Sequence, residues 1–142
     1  MSPDRSAFSK NRLLVYAIVL AAVFLLGFVP QYVKANRLSR EVQTLAWQNQ
    51  MGTARDLIGI VFLDVANNNF GIASRDASTF FNHIRQMLDR ATDPGERDAL
   101  QQISARRDSV TAALAKADPA VRIEVQEIFT QMHQIQPPPL TN

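Results

Sequence analysis

The pattern of hydrophobic and polar positions divides the chain into one uncharged stretch and several amphipathic segments. No charged side chain occurs from Leu13 to Val33. Beyond that stretch, apolar residues recur three and four positions apart, which is the spacing of one helix face. The pattern therefore predicts an all-α protein. We expect a single N-terminal transmembrane helix, a long helix and an up-down antiparallel bundle of four helices.

The uncharged stretch is predicted to cross a bilayer, because the hydrocarbon core needs about 20 apolar residues at the helical rise. Tyr16 and Tyr32 lie near its two ends, where amphipathic rings favour the membrane interface. We expect this segment to remain attached as a signal anchor. The alternative is cleavage by a signal peptidase after Ala35, since the residues at the recognised positions are small or apolar.

The distribution of charge predicts an orientation for this anchor. The formal net charge of +2 comes entirely from residues 1–12, because acidic and basic residues balance over the rest of the chain. Positive flanks stay in the cytoplasm, so residues 1–12 are predicted to be a basic cytoplasmic tail. We therefore expect a protein of the bacterial inner membrane whose bundle lies in the periplasm. The neutral exported part is not expected to bind nucleic acid.

Residues 34–46 are predicted to form a helical stalk, in which Leu38, Val42 and Leu45 follow a 4-3 spacing. The apolar positions change phase near residue 46, which favours a transition from the stalk to a bundle at residues 47–136. The inward seam of the first bundle helix is Trp47, Met51, Ala54, Ile58, Val61 and Val65.

Three breaks separate the later helices of the bundle. Asn67–Gly71 is predicted to be a turn, and Asp93 and Asp118 each precede a proline as helix-capping residues. Residues 137–142 are expected to be a proline-rich extended tail. The predicted inward positions are Ala73, Ala77, Phe80, Ile84, Met87 and Ala91 in the second helix, Leu100, Ile103, Val110 and Leu114 in the third, and Val121, Val125, Ile128, Met132 and Ile135 in the fourth.

A line of small residues on the first bundle helix is the candidate interaction face. Gly52, Gly59 and Ala66 recur every seven residues, so another helix can approach closely there. Trp47 is included in this face, although an aromatic residue at helical spacing also fits the core. The expected partner is a second copy of the chain or another membrane protein, in addition to the lipid bilayer.

Asp64 and Arg107 are the candidate buried charges, because each interrupts an apolar surrounding. Asp64 is the only charged residue from Leu57 to Ala66, and this segment is expected to be buried nearly all round. A buried charge needs a partner. We interpret both residues as structural, either in an ion pair or with a packed arginine stem. A ligand-binding charge inside the bundle is the alternative.

No motif that performs catalysis is present in the sequence. Cysteine is absent, which excludes disulfides, thiolate catalysis and zinc–thiolate sites. His83 and His133 each lie one position beside an apolar seam, so we interpret them as half-exposed side chains. A pair of haem or metal ligands is the alternative interpretation. We therefore expect neither an enzyme nor a bound cofactor or metal.

One helix break carries a family resemblance. The segment T-D-P-x-E-R runs from Thr92 to Arg97, in a chain with one anchor and a bundle beyond it. Over residues 13–135 this arrangement resembles the four-helix-bundle sensor domains of bacterial chemoreceptors and related kinases. The resemblance implies an extracytoplasmic sensor bundle. In that family a second span follows the fourth helix, whereas a proline tail follows here, which counts against autonomous signalling across the membrane.

The expected function is that of a single-pass, membrane-anchored helical bundle acting as a non-enzymatic interaction or assembly module. The anchor, the heptad seams and the lack of catalytic groups favour it. The alternative is an extracytoplasmic sensory or small-ligand-binding bundle that signals through a partner, with Arg107 as the candidate ligand-binding charge.

Overall fold

The computed structural model describes the backbone of residues 6–136 and the side chains of residues 14–23 and 38–136. The described residues form helices and connecting turns without strands, which confirms the all-α prediction. The helices are α1 (Ser6–Ala66), α2 (Phe70–Leu88), α3 (Pro94–Ala105), α4 (Arg107–Ala115) and α5 (Val121–Gln134). The predicted proline-rich tail, residues 137–142, lies outside the described residues.

Backbone contacts divide the chain into two compact units, Met1–Gln43 and Thr44–Asn142. The described part of the first unit belongs to α1, which is helical without interruption from Ser6 onward. The predicted stalk, residues 34–46, is part of this helix. The second unit contains the end of α1 and all of α2 to α5.

The predicted transmembrane helix is not supported by a search of the residues whose side chains are described. Among those residues, none of the helices is both long and apolar enough to cross a bilayer. The ends of the predicted span, Leu13 and Val33, lie outside the described side chains, as do residues 24–32. The described part of the span, residues 14–23, is exposed throughout.

The core of the second unit is built from the seams that the spacing predicts. Every predicted inward residue of α2 to α5 is buried, and so are the inward residues of α1 after Trp47. Trp47 itself is half-buried and packs against the core. Burying apolar surface contributes about 25 cal/mol per Å², so these seams supply the main drive for folding of this unit.

Neighbouring helices of the second unit run antiparallel. Gln102 on α3 bonds to Gln131 on α5, and Ser109 on α4 bonds to Glu124 on α5. Residue numbers therefore increase along α3 and α4 while they decrease along the facing helix α5. The contacts between α1 and α5 described below follow the same order. Short connections between amphipathic helices favour this arrangement.

The third predicted helix is broken, so the prediction of four helices is corrected: it consists of α3 and α4. The break lies at Arg106, whose N–H donates to the carbonyl of Ile103 at 3.1 Å, a three-residue step. The carbonyl of Arg106 accepts a bond from the Ser109 hydroxyl at 2.9 Å. Its guanidinium lies 2.7 Å from Glu127 on α5. The Arg106 carbonyl also accepts a bond from the N–H of Val110 at 3.1 Å, so the helical ladder resumes directly after the break.

One helix, α3, begins at its aspartate cap as predicted, whereas the prediction that Asp118 caps the last helix is corrected, because α5 begins later and its N-cap is Ala120. The Asp93 carboxylate accepts a bond from the N–H of Glu96 at 2.9 Å, with proline at the first position of α3. The Asp118 carboxylate accepts a bond from the N–H of Ala120 at 2.9 Å. That bond closes a separate turn, and α5 then begins at Val121.

The outer face of α1 corrects the prediction that Leu57–Ala66 is buried nearly all round. Ile60 is 46% exposed and Leu63 is 60% exposed. This end of α1 lies against α2 and α5, so one side of the helix remains open. A mostly apolar segment is therefore not necessarily buried on every side, because apolar atoms also form much of a protein surface.

The ends of α1 and α4 are closed by residues in the left-handed conformation. Asn68, which follows α1, has φ 60°, and asparagine tolerates this region. Ala117, which follows α4, has φ 51° and carries a Cβ that crowds the backbone there. The N–H of Asp118 donates to the carbonyl of Ala113 at 3.0 Å, and the N–H of Ala117 donates to that of Leu114. These bonds form a Schellman motif, which normally contains glycine.

Replacing Ala117 with glycine is expected to stabilise the protein. Ala117→Gly removes the steric cost of a left-handed alanine, about 1 kcal/mol. Thermal unfolding followed by far-ultraviolet circular dichroism measures the effect. Ala112→Gly, at an exposed position inside α4, is the matched control and should destabilise by a similar amount. Destabilisation by both variants would contradict the conformation assigned to Ala117.

Candidate functional site

The line of small residues does not form one free surface. A Cβ added to Gly59 would lie 3.8 Å from the ring of Phe129 on α5, so this position belongs to the α1–α5 contact. A Cβ added to Gly52 would meet nothing within 4 Å. Ala66 is exposed, and its carbonyl accepts a bond from Arg122 at 3.5 Å. Gly52 and Ala66 thus stay candidates for an interaction face, whereas Gly59 packs inside the bundle.

Trp47 connects α1 to the first turn of α3. Its indole Nε1 donates to Oε1 of Glu96 at 3.0 Å. The backbone N–H of Glu96 is bound in turn by Asp93. A carboxylate in the first turn also interacts favourably with the positive end of a helix. Trp47 therefore acts first as an internal contact between helices, rather than as an open binding surface.

Arg55 connects α1 to the last turn of α5. Its Nε donates to the carbonyl of Met132 at 3.2 Å, and its Nη2 donates to that of Ile135 at 2.6 Å. Carbonyls in the last turn of a helix lack partners within the helix, and a positive charge there favours the helix dipole. Sequence analysis missed Arg55, because its partners are backbone atoms 77 and 80 residues away in the chain.

Asp64 and Arg107 are each half-buried, so neither candidate buried charge is fully enclosed. Among the described side chains, no charged residue is fully buried. Arg107 begins α4, after the break at Arg106, and its long side chain reaches solvent from there. Asp64 is a partial exception, since its Oδ2 atom is buried without a hydrogen-bond partner.

The two histidines bind separate backbone carbonyls. The Nε2 of His83 lies 3.0 Å from the carbonyl of Gln50 on α1, which joins α2 to α1. The Nδ1 of His133 lies 2.8 Å from the carbonyl of Phe129 on its own helix. Within the described part of the chain, no group of three or more His, Asp or Glu side chains is placed to hold a metal ion.

Two open grooves lie along α5. The larger has a volume of about 600 Å³ and is lined by polar and charged residues together with Ile123. Ion-paired Arg106 and Glu127 also line it. The smaller, of about 410 Å³, lies between the start of α3 and the end of α5. Ligand pockets normally enclose most of the ligand surface, whereas both of these grooves are open to solvent.

Comparison of the chain with protein-family models, with curated proteins and with solved structures gives no match. The resemblance to chemoreceptor sensor domains, based on the break from Thr92 to Arg97, therefore stays a prediction. Two polar contacts characterise this bundle. Trp47 bonds to the first turn of α3, and Arg55 bonds to the end of α5.

Removing the Glu96 carboxylate is expected to expose Trp47, the only tryptophan in the chain. Glu96→Ala leaves the indole N–H without its partner, so Trp47 fluorescence should shift to longer wavelength and stability should fall by about 1 kcal/mol. Arg97→Ala, at the adjacent exposed position, is the control and should change neither value. An unchanged emission spectrum in Glu96→Ala would contradict the contact.

Removing the Arg55 guanidinium is expected to loosen the end of α5. Arg55→Met keeps an apolar stem but loses both carbonyl contacts, which should cost about 1 to 2 kcal/mol. Amide hydrogen exchange should accelerate selectively in the last turn of α5. Arg122→Met is the matched control, because its contact with α1 is exposed and 3.5 Å long. Equal effects from the two substitutions would argue against a specific role for Arg55.

Proposed function

We propose that the chain is a single-pass protein of the bacterial inner membrane, with its N-terminus in the cytoplasm and its helical bundle in the periplasm. The bundle acts as a non-enzymatic interaction or assembly module that docks other helices. The membrane span covers Leu13 to Val33, and the basic residues 1–12 form the cytoplasmic tail. The span remains attached rather than being cleaved after Ala35.

The exposure of residues 14–23 carries the membrane part of this proposal. Each of these residues is apolar or uncharged, and each is exposed on α1. Leu20, for example, is 76% exposed and Tyr16 is 74% exposed. A contiguous apolar surface of this kind is costly in water and is typical of a surface that contacts lipid or another protein. The uncharged sequence on both sides of it has the length that a bilayer requires.

The character of the bundle supports docking rather than chemistry. Its core is filled by apolar side chains, and its two grooves along α5 are open to solvent. Exposed apolar side chains are distributed instead over helix surfaces, including Ile60 and Leu63 on α1. Helix faces with exposed apolar residues at three- and four-residue spacing are suited to contact with another helix.

A sensory bundle is the second candidate, and the larger groove along α5 favours it. The groove presents amide side chains together with the Arg106–Glu127 ion pair, which suits a small polar ligand. In this version the ligand-binding charge is Arg106 rather than the predicted Arg107. Thermal shift against a panel of polar metabolites separates the candidates, because a ligand that binds only the folded state raises the unfolding temperature.

Membrane attachment and assembly are tested together with the full chain in native membranes. Wild type should resist extraction with alkaline carbonate, and a crosslinker should give species heavier than the monomer. Leu20→Arg combined with Val23→Arg should release the chain, since each arginine costs about 3 kcal/mol at the bilayer centre. Ile60→Arg combined with Leu63→Arg is the matched control and should remain bound.

Release of wild type by carbonate would contradict the anchor. A strictly monomeric, partner-free species in intact membranes would contradict the assembly role. Because the chain has no cysteine, a single Thr141→Cys also reports the orientation. It should react with an impermeant thiol reagent added outside the inner membrane, whereas Ser2→Cys should not.

A further inference from the structure

We propose that the bundle opens along one interface, the contact of α5 with α3 and α4, while the contact of α5 with α1 stays closed. The polar ladder of this interface consists of three pairs, which are Gln102–Gln131, Arg106–Glu127 and Ser109–Glu124. This motion lies inside the bundle, so it is independent of the proposed membrane anchor and of the docking partner.

The three pairs of the polar ladder are regularly spaced. Successive members are four and then three residues apart along α3 and α4, and four and then three residues apart in the opposite direction along α5. Side chains three and four residues apart lie on the same face of a helix. The pairs therefore follow the edge along which two antiparallel helices face each other, and polar groups line that edge at intervals of about one helical turn.

All three pairs lie at the protein surface. The side chain of Arg106 is 34% exposed and that of Glu127 is 59% exposed. Exposed ion pairs contribute little to stability, because water solvates both partners and salt screens their attraction. The polar ladder therefore aligns α5 with α3 and α4 but holds the interface together weakly.

Space is already open along the same interface. The larger groove has Gln102 and Arg106 on one wall and residues of α5 on the other, and its volume is about 600 Å³. The smaller groove, of about 410 Å³, lies between Ala99 of α3 and Gln134 of α5. Protein interiors are otherwise close-packed. The two sides of this interface thus lack part of the packing contact that closes other helix pairs.

The other side of α5 is held more firmly, by its contact with α1. The rings of Phe62 and Phe129 stack with their centroids 5.5 Å apart, and a Cβ added to Gly59 would lie 3.8 Å from the Phe129 ring. Arg55 donates two partly buried bonds to carbonyls at the end of α5. Ring packing and bonds shielded from water are stronger than exposed polar pairs. In the opening, α5 therefore moves with this part of α1, whereas α3 and α4 move with α2, against which they pack.

Thiol labelling of the full chain, purified in detergent, tests this motion, because wild type contains no cysteine. Ile128→Cys places a thiol on α5 beside Glu127 of the polar ladder, and Val61→Cys places one on α1. Both native side chains are completely buried. A thiol reagent should modify the α5 variant at least about tenfold faster than the α1 variant, since a local opening needs less free energy than global unfolding. Circular dichroism checks that each variant remains folded.

Charge reversal tests whether the polar ladder closes the interface. Arg106→Glu opposes two carboxylates, so labelling of the Ile128→Cys variant should accelerate by about tenfold. Adding Glu127→Arg should restore the slow rate, and labelling of the Val61→Cys variant should change in neither case. Arg97→Glu, the same substitution at an exposed position near the start of α3, is the matched control and should leave both rates unchanged.

Equal labelling rates at the two buried positions would overturn the proposed opening, because both thiols would then be reached only through global unfolding. A rate that Arg106→Glu leaves unchanged, or that Glu127→Arg fails to restore, would overturn the role of the polar ladder. Release of the chain from the membrane, or a strictly monomeric chain, overturns the proposed function instead and does not alter these labelling rates.

Discussion

The structure depends on a change of phase in the apolar positions of α1. Leu45 is exposed, whereas Met51, Ile58, Val61 and Val65, in the later part of the same helix, are buried. A helix has a fixed period, so one continuous helix presents each seam in a different direction. The same element thereby contributes a wall of the bundle and a separate open surface.

Polar contacts join the helices where the apolar seams end. Trp47 is bound to the first turn of α3, and Arg55 is bound to the carbonyls of the last turn of α5. Both contacts place a side chain of α1 against a helix end, where backbone groups or a favourable dipole are available. They lie in the part of the bundle farthest from the turn between α1 and α2. This explains how α1 is held to helices that follow it much later in the chain.

The proposed function follows from surfaces rather than from a cavity. Apolar side chains fill the core of the bundle, and the grooves beside α5 are open to solvent. Much of the exposed aliphatic surface among the described side chains lies on α1, in residues 14–23 and at Ile60 and Leu63. Lipid and another helix are the partners that we propose for surface of this kind.

The sequence by itself determined the helical class, the buried faces and the Asp93 cap, because these depend on spacing and on bonds within a few residues. It did not determine the break at Arg106 or the open side of α1. It also did not determine the partners of Arg55 and Glu96. Those features depend on which helices become neighbours. Gly59 is an example, because a small residue can lie against a helix of another protein or, as here, against the ring of Phe129 in the same chain. Only the tertiary structure decides which faces are already occupied, since packing is set by atoms distant in the chain.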